Sequence, residues 1–313
     1  MSRIEYVPKR FSAEHRAIIA EANTIIEEYE AQGYDLTLRQ LYYQFVSRAL
    51  IPNTQQSYKR LGTIISDARL AGEVSWDAIS DRTRNLKGGG GWESPEDIIR
   101  AVARQYKRQM WEDQPCYAEV WVEKEALANV VERISDKYGV PWFCCRGYVS
   151  QSEMHSAAKR LESRVDRGQQ VHVIHLGDHD PSGIDMTRDI EDRIGMFITG
   201  NPEWRKEGFD PCFTLSRIAL SMEQVRQYRP PPNPAKTTDA RYAGYEAEYG
   251  DKSWELDALD PSTLSSLIEA AISPLIDHEK WEANETAQAN EKQALLTLSR
   301  TWKTVYPTLR GQA

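Results

Sequence analysis

Two aspartates one residue apart, Asp178 and Asp180, follow an apolar run at residues 171–176 and precede Pro181 and Gly183. The run is short, hydrophobic and bounded by polar residues, as expected of a buried strand in a parallel sheet. Pro181 and Gly183 break it, and residues 184–193 have helical composition. The carboxylates therefore fall where a strand ends and a helix begins. In open α/β sheets, ligands bind just outside the carboxyl ends of the strands. Paired carboxylates there repel each other, and a hard cation, Mg²⁺ or Mn²⁺, is the natural remedy. The alternative is an acidic turn in which an Asp caps the helix.

A third carboxylate, Glu123, follows the alternating run at 117–122 and opens Glu123-Lys124-Glu125. Helical composition over 126–137 stops at Gly139. Residues 141–145 read as a second strand, and 152–166 as a helix leading to the strand at 171–176. This strand–helix order predicts a parallel, Rossmann-like sheet. If the strands ending at Glu123 and Asp178 are neighbours, Glu123, Asp178 and Asp180 converge. Such an acidic triad, with room for a metal and a phosphate, suits phosphoryl transfer.

The other reactive candidate is a tyrosine pair near the N-terminus. Thr37-Leu38-Arg39-Gln40 fits a capping box, and Leu38, Leu41, Tyr42 and Phe45 make one apolar face of the helix it opens. Successive helical residues point about 100° apart, so Tyr42 belongs to the core stripe and Tyr43 points elsewhere. Arg39 lies one turn before Tyr43. An exposed tyrosine beside an arginine is either a nucleophile with a phosphate clamp or a plain surface pair. A helix over 11–34 precedes this one. A third, over 54–71, follows the break at 50–53, with Leu61, Ile64, Ile65 and Ala68 inside. Lys59, Arg60 and Thr63 lie off its apolar face. Two helices joined by a short turn, the second basic near its start, suggest a helix-turn-helix with those three residues on DNA and residues 74–84 as a wing. A plain helical bundle is the alternative.

The 313 residues suggest about two domains. Composition, 40% hydrophobic and 27% charged, is that of a globular protein. No apolar run approaches the roughly 18 residues of a membrane span and no signal-peptide core opens the chain, so a cytoplasmic protein is expected. Cys116, Cys144, Cys145 and Cys212 show no CxxC spacing, which argues against a structural zinc or a disulfide framework. The net charge of −8 argues against a generic nucleic-acid coat, but it is uneven. Residues 1–110 carry a net of +2 and residues 111–313 a net of −10, compatible with a DNA enzyme. The glycine run Gly88–Gly91 reads as a flexible link and lacks the P-loop pattern. A helix opened by Ser94-Pro95 runs to about residue 110, with Ile98, Val102 and Tyr106 on one side and Arg100, Arg104, Lys107 and Arg108 on the other. The expected domains are thus 1–110 and 111–313. Residues 229–236 form a stiff proline-rich segment ending at Lys236, either a phosphate contact or a surface lysine. Residues 253–259 and two later helices, 262–276 and 279–301, carry no chemistry legible in sequence.

Val122-Glu123-Lys124 after one strand and Asp178-x-Asp180-Pro181-x-Gly183 after another resemble a toprim domain. Together with Arg39-Gln-Leu-Tyr42-Tyr43, they resemble the A subunit of topoisomerase VI and the related meiotic double-strand-break protein, in particular the stand-alone Mini-A type. The resemblance spans residues 37–190. It implies an α/β chain: an N-terminal helical winged-helix (CAP-like) domain, then a Rossmann-like toprim domain with C-terminal helices. It further implies that Tyr43 attacks double-stranded DNA, with Arg39 on the scissile phosphate. Asp178 and Asp180 would hold Mg²⁺ or Mn²⁺, with Glu123 as ligand or general acid–base. The working unit would be a homodimer pairing the tyrosine of one subunit with the metal site of the other. A separate GHKL-type ATPase subunit is the implied partner for strand passage, since nothing here resembles an ATPase. The rivals are a toprim nuclease that uses water and a non-catalytic DNA-binding protein.

Overall fold

The structure is a computed structural model and describes residues 3–34, 36–79, 91–206, 208 and 212–310. It is mixed α/β, with a parallel four-stranded sheet and, among the described residues, eleven α-helices. None of those helices is long and apolar enough to cross a membrane.

Three helices form the N-terminal unit: α1 (Ala13–Ala31), α2 (Leu38–Ser47) and α3 (Gln55–Leu70). Each starts where a side chain can accept the first free backbone N–H groups. Ser12 caps α1 and Thr54 caps α3, while Thr37 and Gln40 form the expected capping box on α2. Their apolar faces meet in a core containing Ile25, Leu41, Phe45, Ile64 and Ala68. The described part of the expected wing, 74–79, makes a single parallel bridge from Ile79 to Leu36, and its remainder lies outside the described residues. So does the glycine run, apart from Gly91. The next helix, α4 (Pro95–Gln105), has Pro95 at its first turn and packs along the last helix of the chain, leaving Ile98 and Val102 exposed.

The sheet comprises β1 (Cys116–Val122), β2 (Trp142–Cys144), β3 (Gln170–Leu176) and β4 (Phe213–Ala219), in the order β2-β1-β3-β4. All three pairings are parallel. The crossovers are α5 (Ala128–Tyr138), α6 (Gln151–Val165) and α7 (Pro181–Thr199). From β1 the chain steps to one side to reach β2, and β3 lies on β1's other side. Right-handed crossovers in opposite directions place α5 on one face and α6 with α7 on the other. The strand order reverses between β1 and β3, and that is where such sheets open a crevice at their carboxyl ends. Val122 pairs with Leu176, so the residues that follow, Glu123 and Gly177-Asp178, lie side by side at that crevice.

Beyond the sheet come α8 (Met222–Tyr228), β5 (Asn233–Pro234), α9 (Tyr242–Tyr249), β6 (Lys252–Ser253), α10 (Pro261–Ile272) and α11 (His278–Arg310). β5 and β6 pair antiparallel. A single 3-10 turn, Leu256–Ala258, lies between β6 and α10. Leu256 is buried in the sheet core, whereas Ala258 is buried in the core of the N-terminal helices. This short segment therefore belongs to both halves of the molecule.

Candidate active site

The β1 and β3 ends hold the expected carboxylates. Glu123 leaves β1, and its Oε2 accepts a hydrogen bond from the backbone N–H of Asp178 at 2.8 Å. Asp180 realises the helix-capping alternative. Its Oδ1 accepts from Gly183 N at 2.6 Å and from Ser182 Oγ at 2.9 Å, closing the first turn of α7. Gly183 is required by closeness: a Cβ there would stand 2.3 Å from the Asp178 carbonyl oxygen and 3.2 Å from Glu123 Oε2. Gly183→Ala must therefore push the two carboxylate-bearing turns apart. A loss of about 1–3 kcal/mol in denaturant unfolding is expected, and a change within experimental error would show that the turn is looser than drawn.

Two further groups fix this edge. His179, between the aspartates, is buried, its Nδ1 2.8 Å from Tyr245 Oη and its ring edge-on to Tyr249 and Trp254. Burial pulls its pKa down to about 4, so it is a neutral brace near pH 7. Its backbone also pairs with that of Trp254 through two hydrogen bonds. From β4, Arg217 donates to the carbonyls of Gly177, Asp178 and Gly183, at 3.0, 2.5 and 3.0 Å, and locks the β3–α7 turn. Sequence reading passed over β4 and Arg217, although Phe213 and Leu215 alternate with Thr214 and Ser216.

The largest surprise is the segment at 253–259, for which sequence offered no chemistry. Lys124 Nζ lies 2.7 Å from Asp178 Oδ2, 2.5 Å from Glu255 Oε2 and 3.3 Å from Asp257 Oδ1. Asp178 Oδ1 accepts from Leu256 N at 2.8 Å. Arg39 reaches the same pair of carboxylates: Nη2 contacts Glu255, and Nε lies 2.8 Å from Asp257 Oδ2. The latter contact is an ion pair without hydrogen-bond alignment. Burial alone would lower the pKa of Arg39 and of Lys124, but these carboxylates outweigh it and hold both cations charged.

Tyr43 departs from expectation. Tyr42 and Tyr43 are both buried, each 4% exposed, with their rings edge-on at 5.4 Å. Tyr43 is not a surface residue: it belongs to the core of the N-terminal helices, which also takes in Ala258 from the Leu256–Ala258 turn. The Arg39 guanidinium lies 5.8 Å from its ring centroid. Burial raises the Tyr43 pKa, the charges of Asp257 and Glu255 raise it further, and Arg39 opposes them. Both tyrosines nevertheless line one cleft of about 940 Å³, together with Arg39, Glu123, Asp178 and Asp180. Lys124, Lys236, Asn53 and Asn233 also line the cleft. Lys59, Arg60 and Thr63 do not; of the same helix, Thr54 at the cap, Gln55 and Tyr58 do. Arg60 instead pairs with Glu14 at 2.6 Å.

The chemistry of the donor set suits a hard cation. Burial raises the pKa values of Glu123 and Asp178, and nearby carboxylates, Asp180 for the first and Glu123 and Asp257 for the second, raise them further. That is the signature of excess negative charge at one edge. The arrangement is not a ready-made cage: among the described residues no three His, Cys, Asp or Glu side chains are placed to hold one ion. Asp178 is turned to Lys124 and Leu256, and Asp180 to its helix. All four cysteines are free.

Compared with known proteins, the chain matches no protein-family model, and no curated protein matches it significantly.

Proposed function

We propose that this chain cleaves double-stranded DNA by tyrosine transesterification, in the manner of a topoisomerase VI A subunit. The observation that carries the reading is the shared cleft: Arg39 and Tyr43 from α2 face the carboxylates that end β1 and β3. In the reaction, Tyr43 Oη forms a bond to phosphorus and the bond from phosphorus to one sugar oxygen breaks. The phenolic proton passes to a base, and the leaving sugar oxygen takes up a proton. Free tyrosine, with a pKa of about 10, needs such help. Glu123, whose pKa is raised by burial, is suited to hold and return a proton. The outward N–H groups of Arg39 face the phosphate and stabilise its developing charge. Mg²⁺ or Mn²⁺ held by Glu123, Asp178 and Asp180 would supply further positive charge there. Lys59, Arg60 and Thr63, outside the cleft on α3, would contact flanking DNA, in a winged-helix domain followed by a toprim domain. Cutting both strands calls for a homodimer, and strand passage for a separate GHKL-type ATPase, in a cytoplasmic setting.

One observation favours a second reading. Tyr43 is buried, and its phenol is held protonated beside Asp257 and Glu255. A toprim nuclease using water would need no attack by Tyr43. Isolating the protein under denaturing conditions after incubation with DNA and Mg²⁺ decides between them. DNA covalently joined to protein is the expected result; free cut ends would replace it with the hydrolytic reading, and intact DNA would leave a DNA-binding protein only.

A further inference from the structure

We propose that Glu255 and Asp257 are positioning residues of this site: they clamp Arg39 and Lys124 together and so hold the helix that carries Tyr43 against the sheet edge that carries Glu123 and Asp178. The proposal rests on the DNA-cleavage reading above.

The two carboxylates meet two cations from different halves of the molecule. Arg39 comes from α2 in the helical core, and Lys124 follows β1 of the sheet. Each cation contacts both carboxylates. The Asp257 side chain has 0% of its surface exposed, so it cannot touch a substrate and acts only through its partners. The Arg39 side chain keeps 42% exposed, so part of the guanidinium remains open to the cleft while Nε and Nη2 are held. An arginine fixed in this way loses little freedom when a phosphate arrives.

The segment bearing the clamp is part of the scaffold and not a removable lid. Trp254, Leu256 and Leu259 are buried in the sheet core, and Ala258 in the helical core. Trp254 is paired with His179 by two backbone hydrogen bonds. Swinging this segment out would expose apolar surface in both cores and leave buried charges unpaired, which is strongly destabilising. The seam is tied elsewhere as well. Tyr34 Oη donates to Ser265 Oγ at 2.9 Å, Arg133 donates to the carbonyls of Gln32 and Gly33 at 3.1 and 2.9 Å, and Asn53 donates to the Asn233 side-chain oxygen at 2.8 Å. Tyr43 and the carboxylates that end β1 and β3 are thereby held along the same cleft.

The test uses Glu255→Gln combined with Asp257→Asn, which keeps shape and removes charge. At saturating DNA, adduct formation should fall about 100-fold, the scale of losing a preorganised charge contact, with the apparent KM for DNA little changed. Glu255→Asp should retain more of the rate than Glu255→Gln. Should the double variant fail to fold, the partly exposed Glu255→Gln alone carries the measurement. An unchanged rate in the charge-neutral variant overturns the proposal. A wild-type chain that forms no adduct overturns the cleavage reading itself. A wild-type adduct with an indifferent clamp variant overturns only the clamp.

Discussion

Tyr43→Phe is expected to eliminate the covalent protein–DNA product while leaving the fold intact, because it removes only the oxygen proposed to attack. Its neighbour makes the sharper comparison, since both rings line the cleft. The Tyr42 hydroxyl is already committed, lying 2.9 Å from Asn53 Oδ1 and 3.1 Å from the Thr54 carbonyl, and so ties α2 to the start of α3. Tyr43 is the residue set beside Arg39. Tyr42→Phe should therefore form adducts at close to the wild-type rate. It should lose stability by about 1–2 kcal/mol, the usual cost of leaving part-buried acceptors without their donor. Denaturing gels with labelled DNA measure the first effect, and urea unfolding the second. Adducts that persist in Tyr43→Phe, or vanish in Tyr42→Phe, would move the nucleophile off Tyr43.

The second large effect concerns the aspartates. Asp178→Asn with Asp180→Asn should abolish binding of Mg²⁺ or Mn²⁺ measured by calorimetry, and cleavage with it. Asparagine is the informative replacement, because it caps helices about as well as aspartate and so keeps the start of α7. Lys124 retains Glu255 and Asp257 when Asp178 loses its charge, so the neighbouring clamp stays paired. A chelator should silence the wild-type protein to the same degree. Metal binding that survives both substitutions would place the ion elsewhere and remove the proposed role of the β3–α7 turn.

The carboxylates, the helices that carry Arg39 and Tyr43, and the strands β1, β2 and β3 were legible in the sequence because the signals are local. A capping box spans four residues, an apolar strand six or seven, and a Pro-x-Gly turn three. The parallel order also follows from local alternation of strand and helix, and it brought Glu123 beside Asp178 as expected. The burial of Tyr43 was not legible. On the helix alone it turns away from the apolar stripe, yet it is buried in the helical core, to which Ala258, more than two hundred residues later, also belongs. Glu255 and Asp257 carry no motif of their own. Their meaning comes from Arg39 and Lys124, which lie far off in sequence. The sequence by itself determined the donor groups and the strand ends that present them. The tertiary structure alone decided which cations neutralise those groups, because long-range ion pairs depend on where two separately formed cores dock, and no local pattern records that.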